Sequence, residues 1–236
     1  MFWLSLRLDH NNEHDIIFYV VHISTVRTTG LRDRKRQRTF AAIFTATRDL
    51  IASRGFEATT MEAIAARAEV SVGTLYNYFD SKRSLLLALL ADATDRVAAQ
   101  ADALIDDPGH DARDAILRLM HLYAESLSRL DRKLLRHAMA MSFTASGPVT
   151  KAMWRLDETL IERTQALIGR LQEHRLITAD ISADTAALTL YGCFTTAMLF
   201  WIVQPKSGTG VLRRTLDQQL AVIFKGLLPR ARERRR

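Results

Sequence analysis

Six residues between Gly73 and Lys82 combine side chains that can hold a polyanion and read its hydrogen-bonding edges: Gly73, Thr74, Tyr76, Asn77, Tyr78 and Lys82. Thr74 supplies a hydroxyl and a methyl group. Asn77 supplies a paired donor and acceptor, the pattern that matches an adenine edge in a major groove. The tyrosine hydroxyls and the Lys82 ammonium suit phosphate oxygens, which fix orientation without carrying sequence information. At about 100° per residue, Leu75 and Phe79 point into a core. That turns Gly73, Thr74 and Asn77 outward and leaves Tyr76 and Tyr78 on the flanks. A strip this small and polar can lie on a groove floor. An ordinary surface helix presents the same kind of strip, so its meaning depends on the elements around it.

Those elements are legible on both sides. Met61, Ile64, Ala65 and Ala68 recur at i, i+3, i+4 and i+7, which predicts a helix with one buried face. Thr59 followed by Glu62 has the capping-box pattern and places the start of that helix at Thr59. A turn follows over Ala68–Ser71, and Ser71 is the predicted cap of a second helix, Val72–Phe79. Two short helices joined by a tight turn make a helix-turn-helix. Upstream, the run RDRKRQR at 32–38 carries five positive residues and one acid. It leads into a helix with Phe40, Ile43, Phe44, Thr47, Leu50 and Ile51 on one face, closed by Gly55 as C′ residue. The run is predicted to be an arm for a DNA backbone or minor groove. Downstream, Asp80–Ser81 begins a fourth helix that continues to about Asp106. Lys82 lies in its first turn, the unfavourable end for a cation. A phosphate there would offset both the ammonium and the free N–H groups.

The stretch resembles the DNA-binding segment of the tetracycline-repressor (TetR) family of bacterial transcriptional regulators. The resemblance rests on Gly55-Phe56, Thr59-Thr60, Ile64-Ala65, Val70-Ser71, Gly73-Thr74-Leu75-Tyr76, Tyr78-Phe79 and Ser81-Lys82, in order and spacing. It runs from Arg34 to Leu87. Two departures are Glu69, where many members have Gly, and Tyr78, where many have His. Glu69 occupies a turn position that tends toward positive φ, at a cost of about 1 kcal/mol for a side chain. The resemblance implies an all-α fold: an N-terminal three-helix helix-turn-helix domain followed by a helical ligand-binding and dimerisation bundle. The candidate base-contacting residues are Val72, Gly73, Thr74, Tyr76 and Asn77. The candidate phosphate-contacting residues are Arg38, Thr60, Ser71, Tyr78 and Lys82.

Charge is unevenly placed along the 236 residues. The net +7 is concentrated at residues 31–83, with ten Lys/Arg against six Asp/Glu, and at 225–236, with six against one. Residues 84–224 are close to neutral, fifteen against sixteen. That distribution fits a polyanion partner for the first module. The single cysteine, Cys193, rules out an internal disulfide and a cysteine metal cluster, and suits a reducing cytoplasm. Four prolines and ten glycines leave room for long helices.

The remaining chain divides at Pro108-Gly109 and Gly147-Pro148. Helical patterns are predicted at about 111–129, 132–144, 148–174, 183–203 and 211–228. The segment 186–203 is apolar nearly all round. Thr, Gly and Tyr within it, and amphipathic helices beside it, predict a fully buried helix rather than a membrane span. A small bundle supplies neighbours on every side of such a helix through a second copy of the chain. The resemblance implies that the last two helices pair across a twofold axis. It also implies a cavity for a small molecule, with Tyr123, His137, Met141, Trp154 and Tyr191 as candidate lining. Residues 1–30 read as a loosely ordered N-terminal extension. The spacing His10–His14 within it reads as a chance pair, not a metal site.

Catalytic signatures do not occur: there is no G-x-S-x-G, H-E-x-x-H, Walker loop or dinucleotide fingerprint. Cys193 in an apolar helix reads as an inert thiol. The sequence therefore predicts a non-enzymatic cytoplasmic regulator without cofactor or metal. Residues 31–84 bind duplex DNA, residues 85–228 bind a small-molecule effector and a second subunit, and residues 229–236 form a basic tail. A palindromic operator, a homodimer and release by the effector complete the expectation.

Overall fold

The computed structural model describes residues 30–144, 148–204 and 207–225, and every regular element among them is an α-helix. The N-terminal extension with His10 and His14, and the basic tail, lie outside the described residues.

Helix α1 (Leu31–Arg54) buries Phe40, Ile43, Phe44, Leu50 and Ile51 on one face. Thr47 is buried on that face without cost to hydrogen bonding, because its hydroxyl donates to Ile43 O at 2.7 Å. Gly55 ends α1 at φ 85°, where a side chain would be strained, and donates its N–H to Ile51 O at 2.8 Å. Helix α2 (Met61–Arg67) starts one residue later than the capping pattern predicts. Thr60 is the cap and accepts from Ala63 N at 3.2 Å. Thr59 is buried and donates its hydroxyl to Gly55 O at 2.8 Å, so it closes the α1–α2 turn instead.

The turn to α3 (Val72–Tyr76) passes through Glu69 at φ 57°, the left-handed conformation expected there. Ser71 caps α3 as predicted, accepting from Thr74 N at 3.0 Å. Helix α3 is shorter than the predicted 72–79. Asn77 is its C-cap, and Tyr78 and Phe79 both donate to Leu75 O in a tightened last turn. The tightening lets both rings meet Phe40, with centroids 4.8 and 5.5 Å away, edge to face.

Ser81 and Ser84 form a reciprocal capping box at the start of α4 (Lys82–Asp95), whose residues 84–91 are buried on every face. The single helix predicted to run to Asp106 is broken at Arg96–Val97 and resumes as α5 (Ala98–Asp106). No Pro or Gly marks the break. The buried Thr94 hydroxyl donates back to Ala91 O at 2.8 Å, a competition that bends helices.

The second half comprises α6 (Ala112–Ser128), α7 (Arg132–Thr144), α8 (Pro148–Glu173), α9 (Ala183–Val203) and α10 (Thr209–Lys225), close to the predicted spans. Leu119, Met120, Tyr123, Leu134, Leu167 and Leu171 centre their common core. Helix α9 is the segment expected to need a second copy of the chain to cover it on every side. It is long and apolar enough to cross a membrane, yet it lies against α8, α10, α7 and α6. Within the single chain it is buried on one side only, by Ala187, Leu190, Phe194, Ala197, Met198, Trp201 and Ile202. Its other side exposes Leu188, Leu199, Phe200 and Val203 at 44–52%.

Candidate nucleic-acid interface

The strip on α3 forms as the residue types require. Leu75 and Phe79 are buried at 0% and 2%, which pins the short helix from beneath. Val72, Gly73, Tyr76 and Asn77 are exposed, and Thr74 is half-buried. The Thr74 and Ser71 hydroxyls lie 2.7 Å apart, so each is oriented by the other and one proton stays free to donate outward. A Cβ on Gly73 would meet only Ser71 Oγ, at 4.0 Å. Nothing inside the protein therefore requires glycine at this position.

Among the flanking residues, Arg38, Thr60 and Ser71 are exposed and Tyr78 is half-buried against Phe40. Arg67 pairs with Asp49 at 3.1 Å, tying α2 to α1 at the surface.

Lys82 makes internal contacts in this structure. The sequence places it at a phosphate, but its ammonium turns inward onto the α1–α2 turn. Nζ donates to Phe56 O at 2.5 Å, Thr59 O at 2.8 Å and Glu57 O at 3.2 Å, and lies 4.4 Å from the centre of the Phe56 ring. All three N–H donors of a lysine are used. Backbone carbonyls, not an anion, offset the cation at this helix start.

The five expected pocket residues lie on α6, α7, α8 and α9. Tyr123 and Met141 are buried in the core, Trp154 is 50% exposed, and Tyr191 is half-buried. His137 faces the DNA-binding half of the chain. It stacks on Phe56, ring centroids 3.8 Å apart, with Nδ1 3.6 Å from Glu57 Oε1. It belongs to the contact between the two halves of the chain, and burial holds its pKa below the ordinary histidine value. Burial pushes the Tyr123 phenol up, with Arg163 opposing. Asp157 on α8 and Tyr191 on α9 form a half-buried polar pair, and burial raises both. Burial likewise raises the Cys193 thiol, which fits the inert reading. A surface cavity of about 450 Å³ lies between α5 and α8, lined by Asp102, Asp106, Glu162 and Arg163 among others. It contains none of the five residues. No group of three metal-ligating side chains occurs among the described residues.

The sequence reading missed the basic start of α7. Lys133 donates to Ala52 O at 3.1 Å, and Arg136 to Ile202 O at 3.2 Å. The signal was present as two i, i+4 pairs, Arg132/Arg136 and Lys133/His137, on neighbouring faces.

The profile described as "Bacterial regulatory proteins, tetR family" matches residues 43–89, which span the end of α1, α2, α3 and the start of α4. Over this helix-turn-helix region the chain is similar to the tetR family. The chain is 26% identical over 197 residues to the HTH-type transcriptional repressor KstR of Rhodococcus jostii, covering 82% of this chain and 87% of that one. In fold it is similar to FadR of Thermus thermophilus, a TetR-family repressor solved with lauroyl-CoA. The TM-score there is 0.65 at 23% identity, covering 84% of this chain and 99% of that one. FadR of Bacillus subtilis, solved with stearoyl-CoA, gives a TM-score of 0.65 at 15% identity, over 80% and 100% of the two chains. The predicted architecture, a helix-turn-helix domain before a helical C-terminal domain, is the one these relatives have.

Proposed function

We propose that this protein is a tetR-family regulator that represses transcription by holding an operator as a homodimer, and that a small molecule with an apolar part releases it. The observation that carries the reading is the strip on α3: a glycine with no internal reason to be one, beside exposed polar side chains on a pinned helix. With no Cβ at Gly73, a base edge can approach the backbone closely. Val72, Gly73, Thr74, Tyr76 and Asn77 are assigned to bases. Arg38, Thr60, Ser71 and Tyr78 are assigned to phosphates, and Lys82 to support of the turn behind them. Residues 31–84 form the DNA-binding domain and 85–228 the effector and dimerisation domain. Catalysis has no place in this scheme, and the protein works in the cytoplasm.

The dimer is supported by the apolar side of α9. Four large exposed side chains on one helix, with Val222 and Ile223 also exposed on α10, are what an unpartnered half-interface looks like. Two copies joined there carry two α3 helices, which must fall about one DNA turn apart, ~34–36 Å, or a near multiple. For the effector, the core around Tyr123 and Met141 and the Asp157–Tyr191 pair offer apolar walls with a few hydrogen-bonding groups. The acyl-CoA ligands of the two FadR proteins support a molecule with a long apolar part. An effector shifts the equilibrium only by its differential affinity for the two head spacings.

Fluorescence anisotropy on the upstream region of its own gene, against random competitor, tests this reading. Preferred binding that lauroyl-CoA reverses is expected. Equal affinity for both duplexes would defeat it.

A further inference from the structure

Helix α7 holds two other helices by their C-terminal ends, from adjacent faces of its first two turns. On one face, Arg132 donates to Gln204 O at 2.5 Å and to Ser207 O, and its guanidinium lies 4.1 Å from the Trp201 ring centre. Arg136, one turn on, donates to Ile202 O. Together they cap the end of α9. On the neighbouring face, Lys133 donates to Ala52 O in the last turn of α1, and His137 stacks on Phe56 in the turn after it. Cations at helix C-termini meet unpaired carbonyls and the negative end of the helix dipole, so both grips are favourable. Lys82 holds the same turn from the other side through the carbonyls of Phe56, Glu57 and Thr59.

We propose that the start of α7 is a strut that fixes the distance between α9 and the DNA-binding domain, and that Lys133, His137, Arg132 and Arg136 are thereby positioning residues for operator half-site spacing. The proposal rests on the homodimeric DNA-binding reading. If α9 carries the dimer contact, one path from one α3 to the other runs α3, turn 55–59, α7, α9, and then the same elements in reverse, beside the route through α4, which packs against α8 and α6. The side-chain grips on α7 are short and few, so they are where that path can give. Rigid grips admit one spacing. Loosened grips let each head move independently and accept others.

The test uses full-length protein and operators in which one base pair is added or removed between half-sites. The variants Lys133→Met and His137→Gln keep bulk while cutting the head-side grip. Arg136→Met cuts the α9-side grip. The penalty the wild type shows for altered spacing should shrink by about twofold to thirtyfold in each variant, the range over which such networks modulate coupling. Affinity at the best spacing and its salt dependence should stay close to wild type. A second readout needs no DNA. In Arg136→Met, amide hydrogen exchange should accelerate at residues 55–59, which Arg136 does not touch. That remote effect is one that purely local packing would not produce. An unchanged spacing penalty in a protein that does bind its operator would overturn the proposal, as would unchanged exchange at 55–59. If the wild type prefers no duplex, the functional reading and the spacing role fall together, while the exchange result still decides whether α7 couples its two ends.

Discussion

Replacing Lys82 separates two accounts of the same residue. In Lys82→Met the aliphatic stem remains and the ammonium is lost. The variant then leaves three carbonyls of the 55–59 turn without their common donor. Hydrogen bonds to a charged group contribute about 1.5–3 kcal/mol each when buried. These are only partly buried and water can replace them, so a total loss of about 1–3 kcal/mol is expected. At roughly 2–4 °C per kcal/mol for a chain of this size, thermal unfolding should move down by several degrees. DNA binding should weaken by a similar factor at every salt concentration, because the turn supports Thr60 and α2 indirectly. A phosphate ligand behaves differently. Its removal lowers the slope of log K against log salt by about 0.9, so over a fourfold range of salt the ratio of wild-type to variant affinity would change by about 3.5-fold. Anisotropy titrations at four salt concentrations, with a calorimetric scan, distinguish the two. Parallel salt lines with a lowered melting temperature are expected. A slope reduced by about 0.9 with unchanged melting would refute the inward assignment of Lys82.

Gly73→Ala should hold or raise stability by up to about 1 kcal/mol, since alanine is the better helix former and its Cβ meets nothing closer than 4.0 Å, yet operator affinity should fall; a stable variant with wild-type affinity would remove α3 from the groove floor. His137 prefers the neutral state in its contact with Phe56, because burial outweighs the nearby Glu57 carboxylate and Lys82 and Arg83 add repulsion. Its pKa is depressed, so its contribution is complete above the ordinary value near 6.5 and is lost as pH falls below it. Melting temperature should drop as pH falls below about 6.5, with a step that His137→Gln removes. Leu199→Asp with Val203→Asp adds charge to an exposed apolar face without emptying a core position, so sedimentation should show a folded monomer with strongly reduced operator affinity.

The sequence revealed the helices because their periods, caps and breakers agree locally. The spans at 132–144 and 183–203 and the caps at Ser71 and Gly55 needed no information from elsewhere in the chain. Thr59 and Thr60 both fit a cap, and only tertiary burial of Thr59 decides between them. The end of α3 at Asn77 is set by the Phe40–Tyr78–Phe79 cluster, a contact between residues nearly forty apart. The break at Arg96–Val97 carries no Pro or Gly and was invisible. For the site, exposure along α3 followed from Leu75 and Phe79 alone. The internal contacts of Lys82 and His137 were not legible because a cation or an imidazole has several acceptors within reach, and a one-dimensional pattern does not say which lies nearest. The apolar pattern of α9 predicted burial on all sides, and a single chain supplies one.

The most direct measurement is a footprint of the full-length protein on the DNA upstream of its own gene. Two protected half-sites related by a twofold axis, about one helical turn or a near multiple apart, with protection lost in a variant lacking the α3 strip, are the predicted result. Protection of a single unpaired patch, or none above random DNA, would contradict a paired reading of the double helix by α3.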